Sequence, residues 1–193
     1  LVLFFVTEHL RLMAASPWVA RWAHLAAPTK TILDVACGSG RHAKFFADKG
    51  CAVTALDISN EALQAVAAHS PGVRMVQADI ENAPWPLGGE TFDAVVVTNY
   101  LWRPVFPKLL ASLKDGGILI YETFAVGNET VGKPSRSDFL LKRKELLQLC
   151  EGLHVIAYEE GFLTAPDRFV QRIVAVKSAA KMSASAQPPQ FHL

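Results

Sequence analysis

In this 193-residue chain, the segment whose residues could do chemistry is Leu33-Asp34-Val35-Ala36-Cys37-Gly38-Ser39-Gly40-Arg41-His42-Ala43. A short apolar run ends in a turn with glycines at 38 and 40, and a helical pattern follows. Glycines there remove side chains where a ligand must approach the backbone, and the free N–H groups of a helix start lie beside them. Seventeen residues past Gly40 comes Asp57, at the end of the next apolar run. A carboxylate at that place accepts hydrogen bonds from both hydroxyls of a ribose. Turn and acid together point to an adenosine-type ligand. The pattern Gly38-x-Gly40-x-x-Ala43 also suits a dinucleotide, and Asp57 would serve NAD equally well. Asp34 separates the two, because an acid at the entrance of the turn repels a pyrophosphate and attracts an ammonium or a sulfonium. Downstream, Tyr100, Tyr121 and Tyr158 are followed at the fourth position by Pro104, Ala125 and Phe162, so no Tyr-x-x-x-Lys pair supports a short-chain dehydrogenase. Charge therefore favours S-adenosylmethionine, with an NAD(P)-dependent oxidoreductase as the alternative.

The elements that must position these residues alternate between strand and helix. Apolar runs predict strands at 31–35, 51–57, 73–77, 92–98 and 117–122, and their near-continuous hydrophobicity suits parallel strands covered on both faces. Helices are predicted at 41–49, at 60–69 with Ser59 as cap, and at 108–114, entered through Pro107. The alternation specifies an α/β, doubly wound, Rossmann-like sheet with right-handed crossovers. A long loop at 125–136 then leads to a helix expected from about Ser137 to Cys150. Two last strands, at 154–160 and 169–177, are too close for a crossover helix and must be antiparallel neighbours. Ahead of the sheet, Ser16-Pro17 reads as a cap and first helical position, with Trp18, Trp22 and Leu25 at helical spacing.

Apolar residues are 51% of the chain and charged residues 19%, which argues against disorder. Nineteen basic against 18 acidic residues leave a formal charge of +1, so nucleic acid is not expected as a partner. No uninterrupted apolar stretch is long enough to span a membrane. The three cysteines, Cys37, Cys51 and Cys150, fit reduced thiols in a cytoplasmic protein, and no metal site can be assembled from them. Residues 1–27 are expected to be an N-terminal segment with a covering helix, residues 28–177 the ligand-binding domain, and residues 178–193 a flexible tail. Because the chain begins with Leu1, Met13 is proposed as the natural start, with residues 1–12 not native.

Four segments in order carry a resemblance: Leu-Asp-Val-Ala-Cys-Gly-Ser-Gly (33–40), Ala-Leu-Asp-Ile-Ser (55–59), Gln-Ala-Asp-Ile (77–80) and Thr-Phe-Asp-Ala-Val-Val-Val (91–97). They resemble the successive motifs of class I S-adenosylmethionine-dependent methyltransferases over about residues 30–177. The narrower segment Gly-Ser-Gly-Arg-His-Ala is similar to the small stand-alone members of the tellurite-resistance group. The resemblance implies a seven-stranded sheet ordered 3-2-1-4-5-7-6 with strand 7 antiparallel. It also implies a cofactor site made of Asp34, Ala36, Cys37, Gly38, Ser39, Gly40, Arg41, Asp57, Ile58, Asp79, Ile80, Asn99 and Tyr100. In that site Asp34 holds the methionyl amino group, Asp57 the ribose, and Asp79 and the Ile80 N–H the adenine. Asn99 and Tyr100 line the methionyl arm, and Arg41 pairs with its carboxylate.

Ala36 departs from the family, which often has glycine there. Cys37 is not expected to be a nucleophile, and His42 is expected to be a packed helix residue. The acceptor, a small molecule, is expected over the ends of strands four and five, walled by Trp102, Arg103 and Glu122. Segment 132–136 would close over it, and Arg103, Lys133 and Arg136 could attract an anion. Thr98-Asn99-Tyr100-Leu101 lacks the Asp/Asn-Pro-Pro-Tyr/Phe that marks amino-group methylation on adenine, cytosine or glutamine. Glu122 and Tyr100 are equal candidates for a base, so no catalytic residue is assigned. A non-catalytic S-adenosylmethionine-binding module remains a third reading.

Overall fold

The computed structural model describes residues 14–27, 30–178 and 190–192. The proposed start at Met13 and residues 1–12 lie outside the described residues. One sheet of seven strands has the order β3-β2-β1-β4-β5-β7-β6. The strands are β1 (Thr31–Val35), β2 (Ala52–Asp57), β3 (Arg74–Gln77), β4 (Phe92–Thr98), β5 (Leu113–Phe124), β6 (His154–Leu163) and β7 (Arg168–Val176). Strands β1 to β5 are parallel, and β7 runs antiparallel to both β5 and β6. Order and direction are those the family resemblance implied.

Alternation along each central strand divides the apolar side chains between two cores. Ile32, Ala94, Val96, Ile118 and Ile120 face one way, against α1 (Pro17–Trp22), α2 (Arg41–Ala47) and α3 (Asn60–His69). Leu33, Val35, Val95, Val97 and Leu119 face the other, against α4 (Phe106–Ala111) and α5 (Glu145–Leu149). Burying one such side chain contributes roughly 1.5–3 kcal/mol, so two covered faces hold the strand ends in fixed positions. Helix α1 starts where Ser16 accepts the Trp18 N–H, and Trp18 and Trp22 pack edge-to-face at 5.7 Å. Phe191, near the end of the chain, lies against His154 with ring centroids 5.8 Å apart. Helix α3 matches the expected 60–69 and is capped by Ser59.

Two regions differ from expectation. Strand β5 begins at Leu113, and α4 ends at Ala111, because the Phe92 N–H bonds to the Ser112 carbonyl and Leu113 pairs with Phe92. The predicted helix at 137–150 is broken into a 3₁₀ turn at Ser137–Phe139 and the short α5. Leu140 and Leu141 are buried, and Leu141 exchanges hydrogen bonds with Phe124 and Val126 in a parallel bridge beyond β5. Those sheet bonds, and Lys144 in the left-handed region at φ 59, compete with the helical pattern and win.

Candidate functional site

The turn after β1 is built for close approach. Gly38 has φ 53, and a Cβ placed there would meet nothing within 4 Å, so the space over it is open. Gly40 is different. It has φ 84, and a Cβ would stand 2.6 Å from Val66 Cγ2, so this glycine lets α2 pack against α3. Ala36, where the family often has glycine, sits at φ 51 and carries the strain of a left-handed alanine. Cys37 is buried, and burial followed by the nearby Asp34 and Asp57 charges pushes its thiol far up, so it is no nucleophile. Ser39 completes the turn, and the Gly40 N–H closes it on the Cys37 carbonyl.

Asp57, at the end of β2, accepts the Gly38 N–H on Oδ2 at 2.8 Å and the Ser59 N–H on Oδ1 at 2.9 Å. The carboxylate thereby ties turn to strand end, and each oxygen retains a free lone pair. Beside it opens a cavity of about 250 Å³ lined by Ala36, Asp57, Ile58, Asp79, Ile80, Glu81 and Tyr100, among others. Ile58 is 62% exposed, an apolar side chain left facing the opening. Asp79 accepts the Glu81 and Asn82 N–H groups and the Asn82 side-chain amide, which shapes the loop after β3 and holds its carboxyl below the usual range. Three carboxylates thus line the cavity, and among the described residues no Lys, Arg or His lines it.

Asp34 lies under the first turn of α2, 1% exposed, with Oδ2 lacking any hydrogen-bond partner. Burial raises its carboxyl to about 7, although the Ala43 amide and the Arg41 guanidinium pull the other way. Arg41 is half-buried, and burial lowers its ordinary value against the attraction of Glu122. His42 is buried, accepts the Ser16 N–H on Nε2 at 3.1 Å and has Nδ1 3.4 Å from Thr98 Oγ1. The ring proton therefore sits on Nδ1, and burial lowers the imidazole to about 3, so His42 packs as a neutral residue. Glu122 is completely buried at the end of β5; it accepts the Ser16 hydroxyl at 2.9 Å and pairs with Arg172 at 3.4 Å and Arg168 at 3.7 Å. So engaged, it is a structural anion and not the free base the sequence left open. Arg168 Nε is buried without a partner.

Residues 32–117 match the family model for a methyltransferase domain. Over 99 residues the chain is 34% identical to a malonyl-[acyl-carrier protein] O-methyltransferase of Enterobacter lignolyticus, covering 49% of this chain and 39% of that one. The chain is thus similar to methyltransferases over residues 32–117. A demethylmenaquinone methyltransferase of Renibacterium salmoninarum is 31% identical over 54% of this chain and 48% of that protein. The chain thus spans about half or less of the length of these curated relatives. In fold, TehB from Haemophilus influenzae superposes with a TM-score of 0.71 at 18% identity, covering 83% of this chain and 61% of that one. S-adenosylmethionine is the cofactor this family implies.

The residues of this chain suit that group in three respects. The space over Gly38 is open, the buried Asp34 has an unmatched oxygen of the sign an amino group needs, and Ile58 offers bare apolar surface. Beyond Tyr100 lies a second cavity of about 320 Å³, lined by Glu81, Asn99, Tyr100, Leu101, Thr123, Phe124, Pro134 and Phe139. Tyr100 and Glu81 border both cavities, and the Tyr100 hydroxyl donates to Glu81 Oε1 at 3.1 Å. Burial, then the Glu81 charge, keeps that phenol protonated, so Tyr100 is no base at neutral pH. Asn99 holds the chain's exit from β4 at φ 56, its N–H on the Glu122 carbonyl.

The expected acceptor wall changes accordingly. Trp102 packs into the second core. Arg103 clamps Glu145 at 2.6 Å and the Asp138 and Leu140 carbonyls, so it holds the 138–140 segment in place. Of 132–136, Pro134 reaches the cavity, whereas Arg136 pairs with Asp138. The residues that sequence reasoning missed are Glu81, Phe124 and Phe139. Glu81 had a signal, standing two residues past Asp79 at the carboxyl end of a parallel strand.

Proposed function

We propose that this chain transfers a methyl group from S-adenosylmethionine to a small-molecule acceptor, in the cytoplasm. The observation that carries the reading is the sign of the first cavity: among the described residues Asp57, Asp79 and Glu81 line it without a cation, next to an unmatched Asp34. A diphosphate would be repelled there, whereas a ligand bearing an ammonium and a sulfonium is attracted. When bound, the cofactor supplies an activated methyl group. The chain's own residues then bind and orient. Asp57 receives the ribose hydroxyls on its free lone pairs while fixing the turn. Ile58 and Ile80 cover the adenine, and Asp79 and the Ile80 N–H read its edge. Asp34 meets the amino group and Arg41 the carboxylate. Gly38, with Ala36, Cys37, Ser39 and Gly40, lets the backbone come close. Asn99 and Tyr100 separate donor from acceptor and set the line along which the acceptor's lone pair must approach, and such orientation can contribute up to roughly 7–11 kcal/mol.

The acceptor belongs in the second cavity, whose aromatic lining favours a flat organic molecule. Isothermal titration of the full chain with S-adenosylhomocysteine and with NADH tests the reading, alongside labelled-methyl transfer to small acceptors. Binding of S-adenosylhomocysteine alone is expected, weakened more than tenfold in Asp57→Ala, where the ribose hydroxyls and two backbone amides lose their acceptor. Preference for NADH would overturn it, and tight binding without transfer to any acceptor would leave a non-catalytic module.

A further inference from the structure

The second cavity combines aromatic side chains with one carboxylate. Tyr100, Phe124 and Phe139 line it, and among the described residues Glu81 is its single charged residue, with no Lys, Arg or His lining it. Aromatic faces around a carboxylate receive an ammonium, since ring quadrupole and full charge attract the same cation. Phe139 already does this at its rim, where the Arg136 guanidinium carbon lies 5.2 Å from the ring centroid. The cation best placed to draw an anion, Arg103, is occupied by Glu145 and two carbonyls. Asp57 and Asp79 extend the negative sign into the adjoining cavity.

We propose that the acceptor is an aromatic alkylamine, methylated on nitrogen, with Glu81 as the carboxylate that meets its ammonium. The inference rests on the methyltransferase reading and names its substrate class. An arriving alkylammonium gives one proton to Glu81, which passes it to solvent. The freed nitrogen lone pair forms the bond to the methyl carbon as the carbon–sulfur bond breaks, with that pair staying on sulfur. Charge balances: an ammonium and a sulfonium become one methylated ammonium, one neutral thioether and one released proton. The Thr98-Asn99-Tyr100-Leu101 sequence is consistent with this, because an alkylamine, unlike the conjugated amino groups of bases and amides, is a strong nucleophile once deprotonated.

The test is labelled-methyl transfer by the full chain to 2-phenylethylamine, tyramine and tryptamine, each beside its carboxylate counterpart: phenylacetate, 4-hydroxyphenylacetate and indole-3-acetate. Label is expected on the nitrogen of at least one amine and on no carboxylate. For that amine, Glu81→Gln should raise KM tenfold or more, with partial recovery in Glu81→Asp; the variant expected to keep S-adenosylhomocysteine affinity within threefold of wild type is Phe139→Ala, whose ring lines the second cavity and not the first. Phe139→Ala, at an exposed ring, should raise KM as well. Label on a carboxylate, no label on any amine from a chain that binds S-adenosylhomocysteine, or an unchanged KM in Glu81→Gln each overturns the proposal. A chain that fails to bind S-adenosylhomocysteine at all overturns the methyltransferase reading first.

Discussion

If Asp34 meets the cofactor's amino group, binding must be coupled to a proton. Its carboxyl is raised to about 7 by burial, so near neutrality about half the free protein holds Asp34 protonated. An ammonium needs the charged form, and binding therefore expels that proton. With a free-state value of about 7, the competent fraction falls tenfold for each pH unit below it, each decade being about 1.4 kcal/mol. At pH 5 the affinity for S-adenosylhomocysteine should be about 100-fold lower than its plateau at pH 8–9, a loss of about 2.7 kcal/mol. Titration calorimetry in two buffers of different ionisation enthalpy reads this directly: close to one proton released at pH 6, and almost none from Asp34 at pH 8. Asp34→Asn should flatten the profile at a weak, pH-independent affinity. The same shift bears on stability, with its sign fixed by the native state holding the proton more tightly than the unfolded chain, whose value is 3.8. Stability without ligand should fall as pH rises from about 4 to about 7, and Asp34→Asn should remove that fall. A flat affinity profile in the wild type would refute the assignment of Asp34 to the amino group, leaving it as a carboxyl buried under the start of α2.

Three substitutions probe the frame around the site. Gly40→Ala would push a Cβ to 2.6 Å from Val66 at φ 84, and strain and overpacking together should cost roughly 2–4 kcal/mol in urea unfolding. Ala36→Gly relieves a residue at φ 51 and should raise stability by up to about 1 kcal/mol after glycine's entropic cost, read as a higher Tm. Arg103→Ala leaves the half-buried Glu145 and two carbonyls without their donor. It should lower stability by about 1–3 kcal/mol and raise acceptor KM through Phe139, with little change in S-adenosylhomocysteine affinity.

The central strands were legible because burial on both faces leaves no choice of residue: Ala94-Val95-Val96-Val97 has to be apolar throughout. The turn was legible because Gly38 and Gly40 sit where φ is positive, and Asp57 because the strand end it marks faces that turn. The 137–150 segment was misread because Leu140 and Leu141 fit a helical stripe but are claimed by sheet bonds to Phe124 and Val126. No local pattern encodes that long-range competition. The acceptor wall was obscured for a related reason. Glu81, from the turn after β3, Phe124, at the end of β5, and Phe139, in the 3₁₀ turn, meet only in the fold, while Arg103 and Glu122, which looked functional in sequence, are held by partners 42 and 106 residues away.

Ser16 has a consequence for anyone who alters the leading end of this chain. Its amide reaches His42 at the start of α2, and its hydroxyl reaches Glu122 at the end of β5. One small residue thus ties three elements together: the covering helix, the helix that follows the glycine turn, and the strand whose end lines the second cavity. A fusion or linker that pulls position 16 aside disturbs the supports of both cavities at once, though it lines neither.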